Sequence, residues 1–168
     1  MTLFGYQFQV RACATDGTCS AWSQTPKSLL ATLDDSVTNI ISAGNGQIAY
    51  SGSWLTKTLP GSFGGTVRSS TATGANATLQ NVTFNVSGDA AWIAPTGPNM
   101  GIATVSVDGG ASKTVDLYSA TYQPAQVVFA TNGLKAGVQH TLRVTVTANR
   151  NPASTGSEVD IDAFLAAH

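Results

Sequence analysis

The sequence predicts an all-β protein, a β-sandwich or jelly roll preceded by an N-terminal β-hairpin, and three observations carry that prediction. Charged side chains make up only 10% of the 168 residues, against about 25% in an average domain. Glu158 is the single glutamate, and the polar surface is instead written in Thr, Ser, Asn, Gln and Gly; threonine suits a pleated surface because its branched Cβ packs well there. Second, apolar residues recur at every other position in several windows, and no window shows the helical period. Third, turn signals recur about every 8–12 residues beyond residue 36, the spacing of a sandwich or jelly roll.

The first element is Tyr6-Gln-Phe-Gln-Val-Arg-Ala12, whose alternation places Tyr6, Phe8, Val10 and Ala12 on one face. It leads into Cys13-Ala-Thr-Asp-Gly-Thr-Cys19. Asp16-Gly17 is a hairpin turn signal, because glycine tolerates positive φ, and five intervening residues set the two thiols opposite each other on paired strands. That spacing predicts a Cys13–Cys19 disulfide, hence an oxidising compartment and a secreted, extracellular protein; two free structural thiols are the alternative. A metal would need two further ligands nearby, and no Cys-x-x-Cys redox motif is present. Ser20-Ala-Trp-Ser23 is the return strand, and such a two-stranded unit is marginal alone in water.

Residues 24–36 combine a proline break at Pro26 with short apolar pairs, as a linker or lead-in strand does. The strands predicted next are 47–51, 66–70, 77–84, 90–94, 102–107, 114–118, 126–130, 138–147 and 158–165. Within 77–84 the apolar parity flips between Leu79 and Val82, which predicts a β-bulge near Gln80-Asn81. The clearest alternation is Val138–Thr147, with Val138, Leu142, Val144 and Val146 on one face and Gln139, Thr141, Arg143 and Thr145 on the other.

The pattern Tyr6-x-Phe-x-Val-Arg-Ala12, loop, Ser20-Ala-Trp-Ser23 resembles the last two strands of a fibronectin type III domain, without the strands that normally precede them. Tyr50-Ser-Gly-Ser-Trp54, Gly64-Gly-Thr-Val-Arg-Ser69, Ala91–Ile102, Val105-Ser-Val-Asp-Gly109, Thr114–Ser119, the stretch from Gly137 to Val146 and Val159-Asp-Ile-Asp-Ala-Phe164 follow in order. Residues 35–165 thereby resemble the galactose-binding-like jelly-roll modules, similar to carbohydrate-binding modules, that accompany exported multidomain enzymes. The resemblances imply a fibronectin-like hairpin at 1–26, a linker or lead-in strand at 27–36 and a jelly-roll domain at 37–168. They also imply a non-catalytic accessory module whose partner is a glycan or cell-surface polymer.

Composition narrows the alternatives. Eight scattered cations and a net charge of −1 give no basic cluster to displace counterions, so nucleic acid is not a predicted partner. No apolar stretch approaches the roughly 20 residues that span a bilayer, so membrane insertion is not expected. The start, Met1-Thr-Leu-Phe-Gly, has neither the basic nor the apolar region of a signal peptide, so export would make this chain a mature piece or an excised segment. Catalysis is not expected either. Glycoside hydrolysis takes two carboxylates roughly 5–10 Å apart, whereas the aspartates fall mostly at turns or strand ends. No Gly-x-Ser-x-Gly is present; His140 has the apolar parity of its strand and reads as a packed, hydrogen-bonded residue, and His168 is terminal.

Binding a sugar asks for exposed aromatics that stack on a pyranose face, flanked by a few hydrogen-bonding groups. The candidates are Trp54, Arg68, Asn99, Asp116, Tyr118 and Tyr122. Trp54 either caps the core or stacks on a ligand; Trp92, mid-strand, reads as core. Tyr118 shares the outward parity of Asp116, and Tyr122 and Asn99 lie in proline-containing loops. Arg68 is an outward strand residue or a ligand clamp. The jelly-roll resemblance further implies a structural calcium ion near Asp34, Asp35, Asp160 and Asp162, with Asp35 and Asp162 as its ligands; solvent exposure of these aspartates is the alternative. A rival function comes from the hairpin, whose open edges could pair with a neighbouring copy and make the chain a self-associating extracellular subunit.

Overall fold

Strands that alternate apolar and polar residues bury one face each, and two sheets of them satisfy that requirement by packing face to face. The computed structural model describes residues 3–6, 9–10, 13, 19–21, 23–24, 28–36, 45–84 and 88–167; the Asp16-Gly17 turn and His168 lie outside them. The strands are β1 (Leu3–Tyr6), β2 (Gln9–Val10), β3 (Ser23–Gln24), β4 (Ser28–Asp34), β5 (Asn45–Ser51), β6 (Leu55–Thr58), β7 (Thr66–Ser70), β8 (Asn76–Thr83), β9 (Gly88–Thr96), β10 (Ile102–Val107), β11 (Lys113–Asp116), β12 (Gln123–Leu134), β13 (Gln139–Val146), β14 (Val159–Ile161) and β15 (Ala163–Ala167). A short 3₁₀ turn spans Phe63–Gly65.

The front sheet has the order β1-β4-β15-β9-β12 and the back sheet β11-β10-β13-β8-β5. A third sheet, β14-β7-β6, and the pair β2-β3 complete the arrangement. The result is an all-β jelly-roll sandwich. Among the described residues no helix is long and apolar enough to cross a membrane.

The core lies between front and back sheets and is filled by Trp92, Phe84, Phe164, Leu33, Ile48, Leu79, Met100, Leu117 and Leu142, all buried. Each such side chain contributes about 1.5–3 kcal/mol relative to leaving it in water. β13, at the centre of the back sheet, realises its alternation directly: His140, Leu142, Val144 and Val146 are buried, and Gln139 and Arg143 are exposed. The parity flip in β8 is a bulge. His140 pairs with Val82 and Leu142 with Leu79, so Gln80 and Asn81 together oppose Thr141, and Asn81 takes φ +62°. Asp108 (φ +50°) and Gly109 (φ +70°) form the tight turn between β10 and β11, closed by Gly110 N–H donating to Val107 O at 2.8 Å.

Three departures from the predicted strands have physical causes. β6 carries no alternation because, as an edge strand, it leaves Leu55, Thr56 and Thr58 exposed. β12 runs well past residues 126–130 despite Pro124 and Gly133; it too is an edge, where an irregular register and a missing N–H are tolerated. The last predicted strand is divided at Asp162, with β14 pairing with β7 and β15 lying between β4 and β9. There Asp162 N–H donates to Ile93 O (3.1 Å) and its carbonyl accepts from Asp35 N–H (3.0 Å).

At the N-terminus, Gln9 pairs with Gln24 and Val10 with Ser23, and Cys13 and Cys19 are joined by a disulfide. β1 adds to the outer edge of β4 in antiparallel register, Leu3 opposite Ala31 and Tyr6 opposite Ser28. β1 thereby shares the front sheet of the jelly roll, whereas β2 and β3, among the described residues, pair only with each other.

Candidate functional site

The strands β9, β10, β12 and β13 bring Thr96, Ile102, Gln123 and Val146 to one end of the sandwich, where loops 97–101, 117–122 and 147–158 meet. Main-chain hydrogen bonds sew the three together. Gly97 N–H donates to Leu117 O (3.1 Å), Ser119 N–H to Gly97 O (3.2 Å), Gly101 N–H to Glu158 O (2.6 Å) and Thr155 N–H to Pro98 O (2.8 Å). The buried Ser154 hydroxyl sits 2.7 Å from Met100 O and 3.1 Å from Pro98 O. Two glycines permit the approach: a Cβ at Gly101 would collide with the Ser157 carbonyl, and one at Gly156 would lie 2.5 Å from Asn99 O.

This end collects four of the predicted binding residues. Asn99 and Asp116 are exposed, Tyr118 is half-buried and Tyr122 is 46% exposed. The Asp116 carboxylate is braced on both oxygens: Oδ1 accepts from Tyr118 N–H (2.9 Å) and Oδ2 from Asn151 Nδ2 (2.7 Å). The Tyr122 ring lies against Gly97, where a Cβ would make ordinary contact with Tyr122 Cδ2 at 3.4 Å and with Asn99 Oδ1 at 3.6 Å. Partial burial and the charges of Asp160 and Asp162 push the Tyr122 phenol up. On the adjoining surface Lys57 Nζ pairs with Glu158 Oε2 at 2.5 Å.

Trp54 and Arg68 stand in a second constellation, built around Tyr50 and Asp35. Trp54 meets Tyr50 edge to face at 5.4 Å, and its indole N–H donates to Ser51 O (3.1 Å). The Arg68 guanidinium lies 5.4 Å over the Tyr50 ring and 3.8 Å from Asp35 Oδ2. Tyr50 O–H donates to Asp35 O (2.9 Å) and the Thr66 hydroxyl to Asp35 Oδ1 (2.8 Å). Trp92 is fully buried in the core.

The aspartates at the ends of the jelly roll are not on a solvent face. Asp35 and Asp162 are fully buried and Asp160 is 3% exposed; the turn at Phe63–Gly65 folds over Asp162 and donates Phe63 N–H to its Oδ1 (2.8 Å). A Cβ at Gly64 would strike Asp34 Oδ2, so the turn lies against that carboxylate too. Buried oxygens of Asp34, Asp35 and Asp162 have no hydrogen-bond partner among the described residues. Burial pushes the Asp162 carboxyl up to about 7 despite the Phe63 N–H, and the charges of Asp34 and Asp35 add to the rise. As the side chains stand, no three His, Cys, Asp or Glu among the described residues are gathered closely enough to hold a metal ion.

Several residues of this end have no local signal in the sequence. Asn151, which holds Asp116, is 35 positions away from it, and Lys57 is 101 positions from Glu158. Tyr50, the hub of the second constellation, enters the sequence reading as a strand residue and as the start of Tyr50-Ser-Gly-Ser-Trp54, not as a binding candidate.

No family model matches the chain, and no curated protein is similar to it in sequence. Solved structures are similar in fold. A xanthan lyase from Paenibacillus superposes with a TM-score of 0.54 at 18% identity, over 76% of this chain and 13% of that one. A two-domain esterase active on acetylated mannans, co-crystallised with mannopentaose, superposes with a TM-score of 0.50 at 13% identity, over 81% of this chain and 35% of that one. A family 35 carbohydrate binding module from Clostridium thermocellum gives 0.49 at 17% identity, over 72% and 92%. The chain thus spans far less than two thirds of the first two proteins, and its likeness to them is a likeness of fold.

Proposed function

We propose that the chain is a non-catalytic glycan-binding module of an exported protein, acting outside the cell. The observation that carries this reading is the end of the sandwich where the exposed Tyr122 ring and Asn99 both lie against Gly97, which bridges to Tyr118 beside the braced Asp116. A tyrosine face stacks on the apolar face of a pyranose, and the Asn99 amide and Asp116 carboxylate are the hydrogen-bonding groups that orient its hydroxyls. Both proteins named above at a TM-score of 0.50 or more act on polysaccharides by their descriptions, in line with a glycan partner. The Cys13–Cys19 disulfide supports an oxidising compartment. Trp54 and Arg68 fit this reading as residues that shape the neighbouring surface through Tyr50 and Asp35.

A calcium ion held by Asp35 and Asp162 belongs to the same proposal. The unpartnered, buried oxygens of these carboxylates are hard donors of the kind calcium takes, and a cation there would offset the repulsion between them. Arg68, 3.8 Å from Asp35 Oδ2, supplies part of that compensation already. Calcium should therefore raise the thermal midpoint of the chain, and Asp162→Asn should abolish the rise.

The purified chain on a glycan array, followed by calorimetric titration of any hit, tests the binding reading. Tyr122→Ala should weaken a specific hit at least tenfold, the loss of about 1.4 kcal/mol. Absence of any hit, with a multimeric mass by light scattering that vanishes on deleting residues 1–25, would favour the self-associating subunit instead. β1 pairs with β4 of its own chain and is the last strand of the front sheet among the described residues, the position at which a neighbour's strand would add.

A further inference from the structure

His140 sits on β13 at the other end of the sandwich from Tyr122, and is 7% exposed. Its Nδ1 lies 2.7 Å from Asp108 Oδ2, and its Nε2 lies 2.9 Å from Lys135 O. A carboxylate and a main-chain carbonyl are both acceptors, whereas a neutral imidazole carries one N–H. With a neutral ring, one of these two contacts would set lone pair against lone pair. A proton on the Asp108 carboxyl does not resolve the conflict. That side chain is 43% exposed, and its Oδ1 accepts from Thr141 N–H at 2.7 Å. This N–H and the imidazole outweigh its partial burial and hold it below the usual carboxylate range. Only the imidazolium satisfies both partners.

The two partners belong to different parts of the fold. Asp108 lies in the tight turn between β10 and β11 of the back sheet, and Lys135 in the connection that crosses from β12 in the front sheet to β13 in the back. The same connection is tied by Gly137 N–H donating to Phe84 O (2.9 Å), and the Phe84 ring lies 5.9 Å from the imidazole. Asp108 is the charged side chain that faces the ring. Lys135 presents only its carbonyl, and Phe84 at the end of β8 presents an apolar surface.

We propose that His140 is a proton-operated clamp that closes this end of the sandwich, its imidazolium joining the β10–β11 turn to the β12–β13 connection, and that loss of the proton releases one of the two. Burial opposes the charged ring, but the Lys135 carbonyl and the Asp108 carboxylate outweigh it and hold His140 above the ordinary imidazole value of 6.5. The folded value lies above the unfolded one. The clamp's stabilisation is therefore complete below about pH 6.5 and is lost as pH rises through the folded value.

The chain contains two histidines, so His168→Ala leaves a single imidazole for nuclear magnetic resonance of the ring nitrogens between pH 5 and 9. Two ring N–H protons at pH 6.5 and a midpoint above 6.5 are expected. Asp108→Asn should lower that midpoint. Amide exchange at Gly137 and Thr141 should accelerate above it, beyond the ordinary tenfold per pH unit of base-catalysed exchange, while Val105 and Val144, deep in the back sheet, follow that ordinary slope. A ring carrying one proton at pH 6.5, or a midpoint at or below 6.5, overturns the proposal. These readings use the folded chain itself, so they hold even if His140→Gln fails to fold, and a failed glycan array leaves them unaffected.

Discussion

Replacing Gly101 with alanine probes whether the seam between loops 97–101 and 147–158 holds the candidate binding end together. Gly101 does not need its freedom of φ; it needs space. An alanine Cβ would stand 2.5 Å from Ser157 C and 2.8 Å from its Cα, and would collide with its carbonyl oxygen. These are backbone atoms, so the strands of the seam must part by about 1 Å to restore ordinary contact, an overpacking that costs about 1–3 kcal/mol. Parting weakens Gly101 N–H to Glu158 O (2.6 Å) and Leu117 N–H to Gly101 O (3.0 Å), each worth about 1 kcal/mol. The expected loss is about 2–4 kcal/mol. At about 2–4 °C per kcal/mol for a chain of this size, the thermal midpoint should fall by roughly 5–15 °C. Near-ultraviolet circular dichroism melts measure it. Gly156→Ala presses on the same seam from the other side, 2.5 Å from Asn99 O, so the double variant should lose clearly less than the sum of the two. A fall under about 2 °C for Gly101→Ala, or strict additivity in the double variant, would refute the reasoning.

Three further outcomes follow from particular side chains. Trp92→Phe should cost about 1–2 kcal/mol in urea denaturation, below the 3–5 of a truncation to alanine, because the cavity it leaves is offset by removing a buried indole N–H that has no partner among the described residues; a loss of 3 kcal/mol or more would show that this N–H is satisfied. Asn81→Gly should leave stability within about 0.5 kcal/mol, and Asn81→Val should cost about 1–2 kcal/mol, since β-branched residues resist the φ of +62° in the bulge; equal effects in the same denaturation assay would remove the bulge from the account. Asp160 is held above its ordinary value by burial first and by the charge of Glu158 second, against the Ser69 hydroxyl. Its folded value exceeds its unfolded one, so its contribution is present at acid pH and lost as pH rises through the folded value; Asp160→Asn should flatten that part of a melting-temperature profile from pH 4 to 9.

Residues whose environment is set within their own strand were open to reasoning from sequence. The outward parity of Asp116 and the loop position of Tyr122 predict their exposure, and the flip between Leu79 and Val82 predicts the bulge at Gln80-Asn81. The apolar parity of His140 predicts its burial, although its partners, Asp108 at 32 positions away and the Lys135 carbonyl, are not in the pattern. Local reasoning failed where a third element covers a face. Asp160 and Asp162 alternate with apolar neighbours as solvent-facing residues would, yet they are buried, Asp162 beneath the turn at Phe63–Gly65. Likewise β6 carries no alternation, since it is recruited by pairing with β7 rather than by a buried face of its own.

The sequence by itself determined the class of the fold and most strands of the core, and it pointed to the Cys13–Cys19 bridge, because side-chain alternation, turn chemistry and short loop closure act over a few residues. The tertiary structure alone decided which polar groups meet. It joined Lys57 to Glu158, Arg68 to Asp35 and Asn151 to Asp116, and it brought Asn99 and Tyr122 together at Gly97. Each of those pairings depends on strand order and loop closure across distances at which sequence carries no periodic signal.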